Sequence, residues 1–201
     1  MKDRKFDHIE LADNAQVHKN KIDNRFNYEP MLNIHPDKTN SIQTTFLNKK
    51  LGAPLWISSM TGGTERSKSI NHNLARAANE FKLGIGLGSC RSLLDSNSFI
   101  DDFNIRKILG DDLPLFANLG IVQIEELVTS NKLYLLNEIV SKLSADGLII
   151  HVNPLQEWFQ EEGDRITRPP IDTIKYVLDY VNFPIIVKEV GQGIGPKSLK
   201  A

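Results

Sequence analysis

Five short apolar runs, each bounded by Gly, Pro or polar residues, recur along this chain with helix-patterned segments between them. They are Pro54–Ser59 (PLWISS), Leu83–Ser89 (LGIGLGS), Leu115–Ile121 (LFANLGI), Gly147–Asn153 (GLIIHVN) and Pro184–Val190 (PIIVKEV). After the first run, Ile70, Leu74, Ala77 and Phe81 fall at helical spacing. After the fourth, Ile171, Ile174, Leu178 and Val181 do the same behind Pro169–Pro170. Weaker periodicity predicts helices in the middle intervals, through Phe99, Phe103 and Ile108 and then Leu133, Leu136, Val140 and Leu143. Strands alternating with helices make βαβ units and a parallel sheet. The runs do not alternate apolar with polar, which predicts strands covered on both faces.

Successive strands lie about thirty to thirty-five residues apart, the usual length of a (β/α) barrel unit. The expected fold class is therefore α/β, of the (β/α)8 barrel type, with the first five βα units present. An open doubly wound sheet is the alternative. Against it, the glycines of GIGLGSCR lie inside the strand, whereas a dinucleotide-binding loop needs them at the start of a helix. Residues 1–50 are polar and weakly patterned and are expected to form an amino-terminal arm; residues 51–201 are the partial barrel. A closed barrel takes about 250 residues, so the chain is expected to be the front part of a longer protein.

The chain has 201 residues, 40% hydrophobic and 24% charged, with a net charge of −1. Near-neutral charge gives no support for nucleic acid or an anionic membrane as the main partner. The apolar runs are too short to span a bilayer, and MKDRKFDHIE has no apolar stretch of a secretory signal. The single cysteine, Cys90, cannot close an internal disulfide and fits a reducing cytoplasm.

Polar groups cluster where the strands end, the place where α/β proteins bind ligands. Ser58-Ser59-Met60-Thr61-Gly62-Gly63 could bring backbone N–H groups close to a flat or anionic ligand, or simply form a tight turn and a helix cap. Ser89 and Arg91 flank Cys90; an arginine fork suits phosphate, though Arg91 could equally be a surface residue. Cys90 itself reads as a small buried residue. Asn118 and Lys188 sit inside apolar runs, where each needs a partner or a ligand. Glu189 should point to the opposite face from Lys188. His151 and Asn153 share a face, and Gln156 and Glu157 follow in the loop. A carboxylate beside neutral donors is a reasonable Mg²⁺ site when a diphosphate supplies further oxygens.

Six segments together resemble the flavin-dependent, type 2 isopentenyl-diphosphate isomerase family: RKFDHIELA (4–12), PLWISSMTGGT (54–64), GIGLGSCR (84–91), FANLGIVQ (116–123), HVNPLQEWFQEEGD (151–164) and PIIVKEVGQGI (184–194). The resemblance implies FMN at the carboxyl-terminal mouth of a barrel, with Mg²⁺, and NADPH as flavin reductant. It implies interconversion of isopentenyl and dimethylallyl diphosphate, with the flavin as acid and base. By position it implies FMN contacts from Ser59, Met60, Thr61, Ser89, Asn118 and Lys188. Arg4, Lys5, Arg91, His151, Asn153 and Gln156 would surround the substrate, with His151 and Gln156 in catalytic roles and Glu157 on the metal. It also implies a small diphosphate as the partner, no nucleic acid, no membrane, and a homo-oligomer. Two departures stand out: Cys90 replaces a common glutamine, and the last three barrel units, which in such barrels usually hold a cofactor phosphate, are missing. Two alternatives remain at this point. One is a flavin-dependent oxidoreductase of the 2-hydroxy-acid oxidase kind; the other is an inactive truncated form.

Overall fold

The computed structural model describes residues 10–12, 14, 29–32, 34, 35, 37, 39–59, 61–64 and 66–201. Arg4, Lys5, His8 and Met60 lie outside the described residues. The chain divides into two compact units, Met1–Asn40 and Ser41–Ala201. In the first, the described residues form local turns, such as Leu32 N–H donating to the Glu29 carbonyl and Asp37 accepting from Thr39.

The second unit opens with an antiparallel hairpin, β1 (Thr44–Phe46) and β2 (Lys49–Leu51). Leu47 and Asn48 both have positive φ, the conformation that matches a two-residue turn to strand twist. Five parallel strands follow: β3 (Trp56–Ile57), β4 (Gly84–Gly86), β5 (Leu115–Gly120), β6 (Gly147–Val152) and β7 (Ile185–Glu189). They pair strictly in chain order, β3-β4-β5-β6-β7, in a curled half-barrel sheet. A doubly wound sheet reverses its strand order at a switch point; this sheet has no reversal.

The period of two sorts the strand residues onto two faces. Ile85, Leu87, Ala117, Leu119, Leu148 and Ile150 pack into the core shared with the helices. Trp56, Phe116 and Ile149 point to the inner face, together with the glycines of β4. Phe46 of the hairpin meets Trp56 at 5.3 Å between ring centroids, and Trp56 meets Phe116 at 5.9 Å. These rings fill the amino-terminal end of the inner face. The in-strand glycines make room for them: a Cβ on Gly84 would fall 2.0 Å from the Trp56 ring, and one on Gly147 2.6 Å from Phe116. Below the rings Asp146 accepts from Lys49 at 2.6 Å, from Arg106 at 2.9 Å and from Leu115 N–H at 2.8 Å. That carboxylate ties the hairpin to the starts of β5 and β6.

The helices are α1 (Ser67–Phe81), the short α2 (Ser92–Asp95), α3 (Ile100–Phe103) and α4 (Arg106–Leu109), then α5 (Ile121–Thr129), α6 (Tyr134–Lys142), α7 (Pro154–Phe159), α8 (Pro170–Tyr180) and α9 (Pro196–Lys200). Several sequence expectations are corrected here. α1 buries Ser67, Asn71, Ala75 and Ala78, whereas Ile70 and Phe81 are exposed. The small residues let the helix approach α3 and α4 closely, and Asn71 donates to the Asp102 carbonyl at 2.9 Å. In α8 Thr173, Ile174 and Val177 are buried, with Val181 just beyond it, so Ile174 and Val181 face the core as expected, whereas Leu178 is exposed. The single helix expected through Phe99–Ile108 is two short ones, α3 and α4. Ile121, expected to end a strand, starts α5, a helix the periodicity did not reveal. Coverage of both faces also fails at β7, where every residue is partly or fully exposed. Among the described residues no helix is long and apolar enough to cross a membrane.

Candidate active site

β3 runs into a turn at Ser59, whose φ of 27° is unfavourable for a residue with a Cβ. The turn is held by Ser59 N–H donating to the Gly86 carbonyl at 2.9 Å. Thr61 follows; its carbonyl accepts from Asn71 Nδ2 at 3.0 Å. A Cβ on Gly88 would lie 2.4 Å from the Thr61 carbonyl carbon and oxygen, so that glycine lets the β3 loop lie against the end of β4. The hydroxyls of Thr61, Thr64 and Ser67 bond one another, and none caps α1, whose N-cap is Arg66. The helix-cap reading of this segment is thereby set aside.

Asn118 on β5 is buried, and its amide donates across to the Leu87 carbonyl at 3.0 Å. Two strands further on, His151 of β6 pairs in register with Lys188 of β7. Both face inward, continuing the parity of Phe116 and Ile149. Burial is the first cause that depresses the His151 pKa below 6.5; Lys188 adds to it, against Glu189 and Glu157. The Lys188 pKa is also lowered, again by burial first, with Glu189 opposing. Among the described residues, Lys188 Nζ reaches only its neighbour's carbonyl, at 3.3 Å. Glu189 turns away, as expected, and accepts from the N–H groups of Gly191 and Gly193 in its own loop.

Beyond β6, Pro154 starts α7 and stacks Gln156 and Glu157 over Asn153. Asn153 Nδ2 donates to Glu157 Oε1 at 2.8 Å and to Gln156 Oε1 at 3.3 Å, and Asp164 N–H donates to Glu157 Oε2 at 2.9 Å. Each Glu157 oxygen keeps a lone pair. Among the described residues no group of three or more His, Cys, Asp or Glu could hold a metal. One carboxylate suits Mg²⁺ where phosphate oxygens and water complete the octahedron.

Among the described residues, Ser59 Oγ, Asn118 Oδ1, His151 Nε2 and Asn153 Oδ1 are buried without a hydrogen-bond partner. Each such atom costs about 1–3 kcal/mol. Four of them at the carboxyl ends of one sheet describe a surface shaped for a ligand rich in donors and acceptors.

The structure brings Ser59, Thr61, Ser89, Arg91, Asn118, His151, Asn153, Gln156, Glu157 and Lys188 to that one end of the sheet. Cys90 is fully buried there, its thiol pushed up to about 12 by burial, so it offers no reactive thiolate. Arg91 is exposed and pairs with Asp164 at 3.2 Å. Asp164 and Gln123, which donates to the same carboxylate at 3.4 Å, carried no role in the sequence argument. Their signal was present in the ends of HVNPLQEWFQEEGD and FANLGIVQ. A cavity of about 660 Å³ lies beside the mouth, between α2, α5 and the Asp164–Thr167 segment.

This fold and site define an α/β protein that gathers polar side chains at the carboxyl ends of parallel strands. No family model matches the chain. Over nearly its whole length it is homologous to curated proteins named isopentenyl-diphosphate delta-isomerase. That of Rickettsia africae is 41% identical over 199 residues, 97% of this chain and 57% of the relative. Rickettsia bellii has one at 41% over 200 residues, and Rickettsia typhi one at 39% over 202. The chain thus spans 57–58% of the length of these relatives.

Proposed function

We propose that this chain carries the substrate- and flavin-facing part of an isopentenyl-diphosphate delta-isomerase of the flavin-dependent type, on a (β/α)8 barrel plan. The observation that carries this reading is the set of buried polar atoms without a partner among the described residues, at the same end of the sheet as Lys188. Homology to proteins of that name supports it.

Ser59, Met60, Thr61, Ser89, Asn118 and Lys188 would hold FMN. Arg4, Lys5 and Arg91 would bind the diphosphate, with His151, Asn153 and Gln156 along the substrate and Glu157 on Mg²⁺. Reduced FMN, supplied with electrons by NADPH, would offer a proton donor and acceptor beside the double bond without being consumed. Asn118 Oδ1 accepts and its amide stays fixed to Leu87, so it can read only a donor on the ring. Lys188 favours negative charge next to it. His151, neutral near pH 7, can donate or accept one hydrogen bond without adding charge. Gln156, which accepts a hydrogen bond from Asn153, would steady the substrate's reacting end. The family resemblance extends the reading to a cytoplasmic homo-oligomer acting on a small diphosphate.

A 2-hydroxy-acid oxidase would share the flavin contacts, but Arg91 with Asn153 and Glu157 suits a diphosphate with its metal. The test is titration of FMN fluorescence by the chain, then proton NMR of isopentenyl diphosphate with FMN, NADPH and Mg²⁺. Saturable flavin binding and dimethylallyl diphosphate are expected. A chain that leaves flavin fluorescence unchanged refutes the site assignment, and bound flavin without isomerisation refutes the activity.

A further inference from the structure

Between Arg91 and Glu157 lies a clasp made by Asp164 and Gln123. Asp164 Oδ2 accepts from Arg91 Nη1 at 3.2 Å and from Gln123 Nε2 at 3.4 Å. The backbone N–H of the same residue donates to Glu157 Oε2 at 2.9 Å. Arg91 and Asp164 are 73 residues apart in sequence and meet only because the loops after β4 and β6 converge.

Gly163 makes the approach possible. A Cβ on Gly163 would lie 1.8 Å from the Glu157 carbonyl oxygen, so the loop can fold back onto α7 only without a side chain. A Cβ on Gly120 would lie 2.4 Å from Gln123 Oε1, so the Gln123 side chain lies flat over the end of β5. Gln123 is 6% exposed, while the Arg91 side chain is 58% exposed. An ion pair that exposed contributes little to folding. Its effect is on direction: one N–H of the guanidinium fork is engaged, and the rest of the planar fork faces outward with reduced rotational freedom.

We propose that Asp164 is a positioning residue that aims Arg91 at the diphosphate, with Gln123 holding Asp164 in place. This rests on the diphosphate reading above. Two effects oppose each other. The aspartate's charge weakens attraction of an anion, and its aim removes the ordering cost of a long side chain on binding. Exposed charges are screened by salt, and aim is not, so positioning dominates at physiological ionic strength and above.

The experiment is calorimetric titration of inorganic diphosphate, with Mg²⁺, into the chain and into Asp164→Asn, Arg91→Ala and the double variant. Asp164→Asn should weaken binding about fivefold, and should change nothing once Arg91 is alanine. Its magnesium response should stay that of the parent chain, because the backbone N–H to Glu157 remains; a general collapse of the loop would move both. If Asp164→Asn does not fold, as judged by circular dichroism, Gln123→Leu serves instead, with a loss of about threefold expected. Unchanged or tighter binding in these variants, or an equal loss without Arg91, overturns the proposal alone. A parent chain that binds no diphosphate, or binds it equally without Arg91, overturns the functional reading and this inference together.

Discussion

His151 of β6 and Lys188 of β7 are direct partners in the parallel register, on the same face of the sheet. Their backbones lie about one strand spacing apart, ~4.8 Å, and the Lys188 ammonium, with burial, lowers the His151 pKa. Protonating His151 would place two cations side by side, so the arrangement favours the neutral ring.

The His151 ring should accordingly titrate below 6.5 in an NMR pH series, and Lys188→Met should move its midpoint upward. The stability consequence follows from linkage. With the folded pKa depressed, the stabilising contribution is complete above 6.5 and is lost as pH falls through the folded value. A midpoint that stays put in Lys188→Met would mean that the two side chains do not share an environment.

Asn118→Leu should separate binding from folding. The substitution removes a buried acceptor that lacks a partner among the described residues, while freeing the Leu87 carbonyl. These effects are of similar size, about 1 kcal/mol each, so the urea midpoint should barely move. FMN affinity should fall at least about tenfold, the loss expected when a hydrogen bond worth about 1.4 kcal/mol is removed. Equal losses of stability and affinity would make Asn118 a structural residue.

Glu157→Gln tests the metal assignment. The substituted amide keeps one acceptor for Asn153 but turns a donor towards the Asp164 N–H. Magnesium enhancement of diphosphate binding, read by calorimetry, should disappear. A variant with the parent magnesium response would remove Glu157 from the metal site.

Gly88→Ala should push the β3 loop away, because the new methyl meets Thr61 backbone atoms at 2.4 Å. The expected cost is about 2 kcal/mol, read from urea unfolding, with FMN binding weakened in parallel. An unperturbed variant would mean the loop does not rest on β4.

At the opposite end of the strands, burial alone would raise the Asp146 pKa. Hydrogen bonds from Lys49, Leu115 N–H and Arg106 outweigh it and hold it below 3.8. Its stabilisation is thus present above about pH 4 and is lost as pH falls through the lower folded value. Asp146→Ala should cost about 2 kcal/mol at pH 7, less than a fully buried pair because a quarter of the side chain is exposed. Denaturant midpoints at pH 7 and pH 3 should differ less in Asp146→Ala than in the parent chain.

The strands and most of the mouth were legible in the sequence, because short apolar runs between turn residues have few other uses. Asn118 and Lys188 were conspicuous as polar residues inside such runs, and the parity of two placed His151 and Asn153 together. Helix faces were read less well. Periodicity marks Ile70, Phe81 and Leu178 as apolar, but it says nothing about where the neighbouring element lies.

By itself the chain determined which segments become parallel strands and which polar groups leave their carboxyl ends, since both follow from local pattern. Only the tertiary structure decided that Arg91, Gln123, Glu157 and Asp164 meet. Their contacts depend on the order and curl of five strands, and on bare glycine backbone at Gly163, where a methyl group would run into the Glu157 backbone. Those distances are properties of packing between segments far apart in sequence, and no local pattern of residues encodes them.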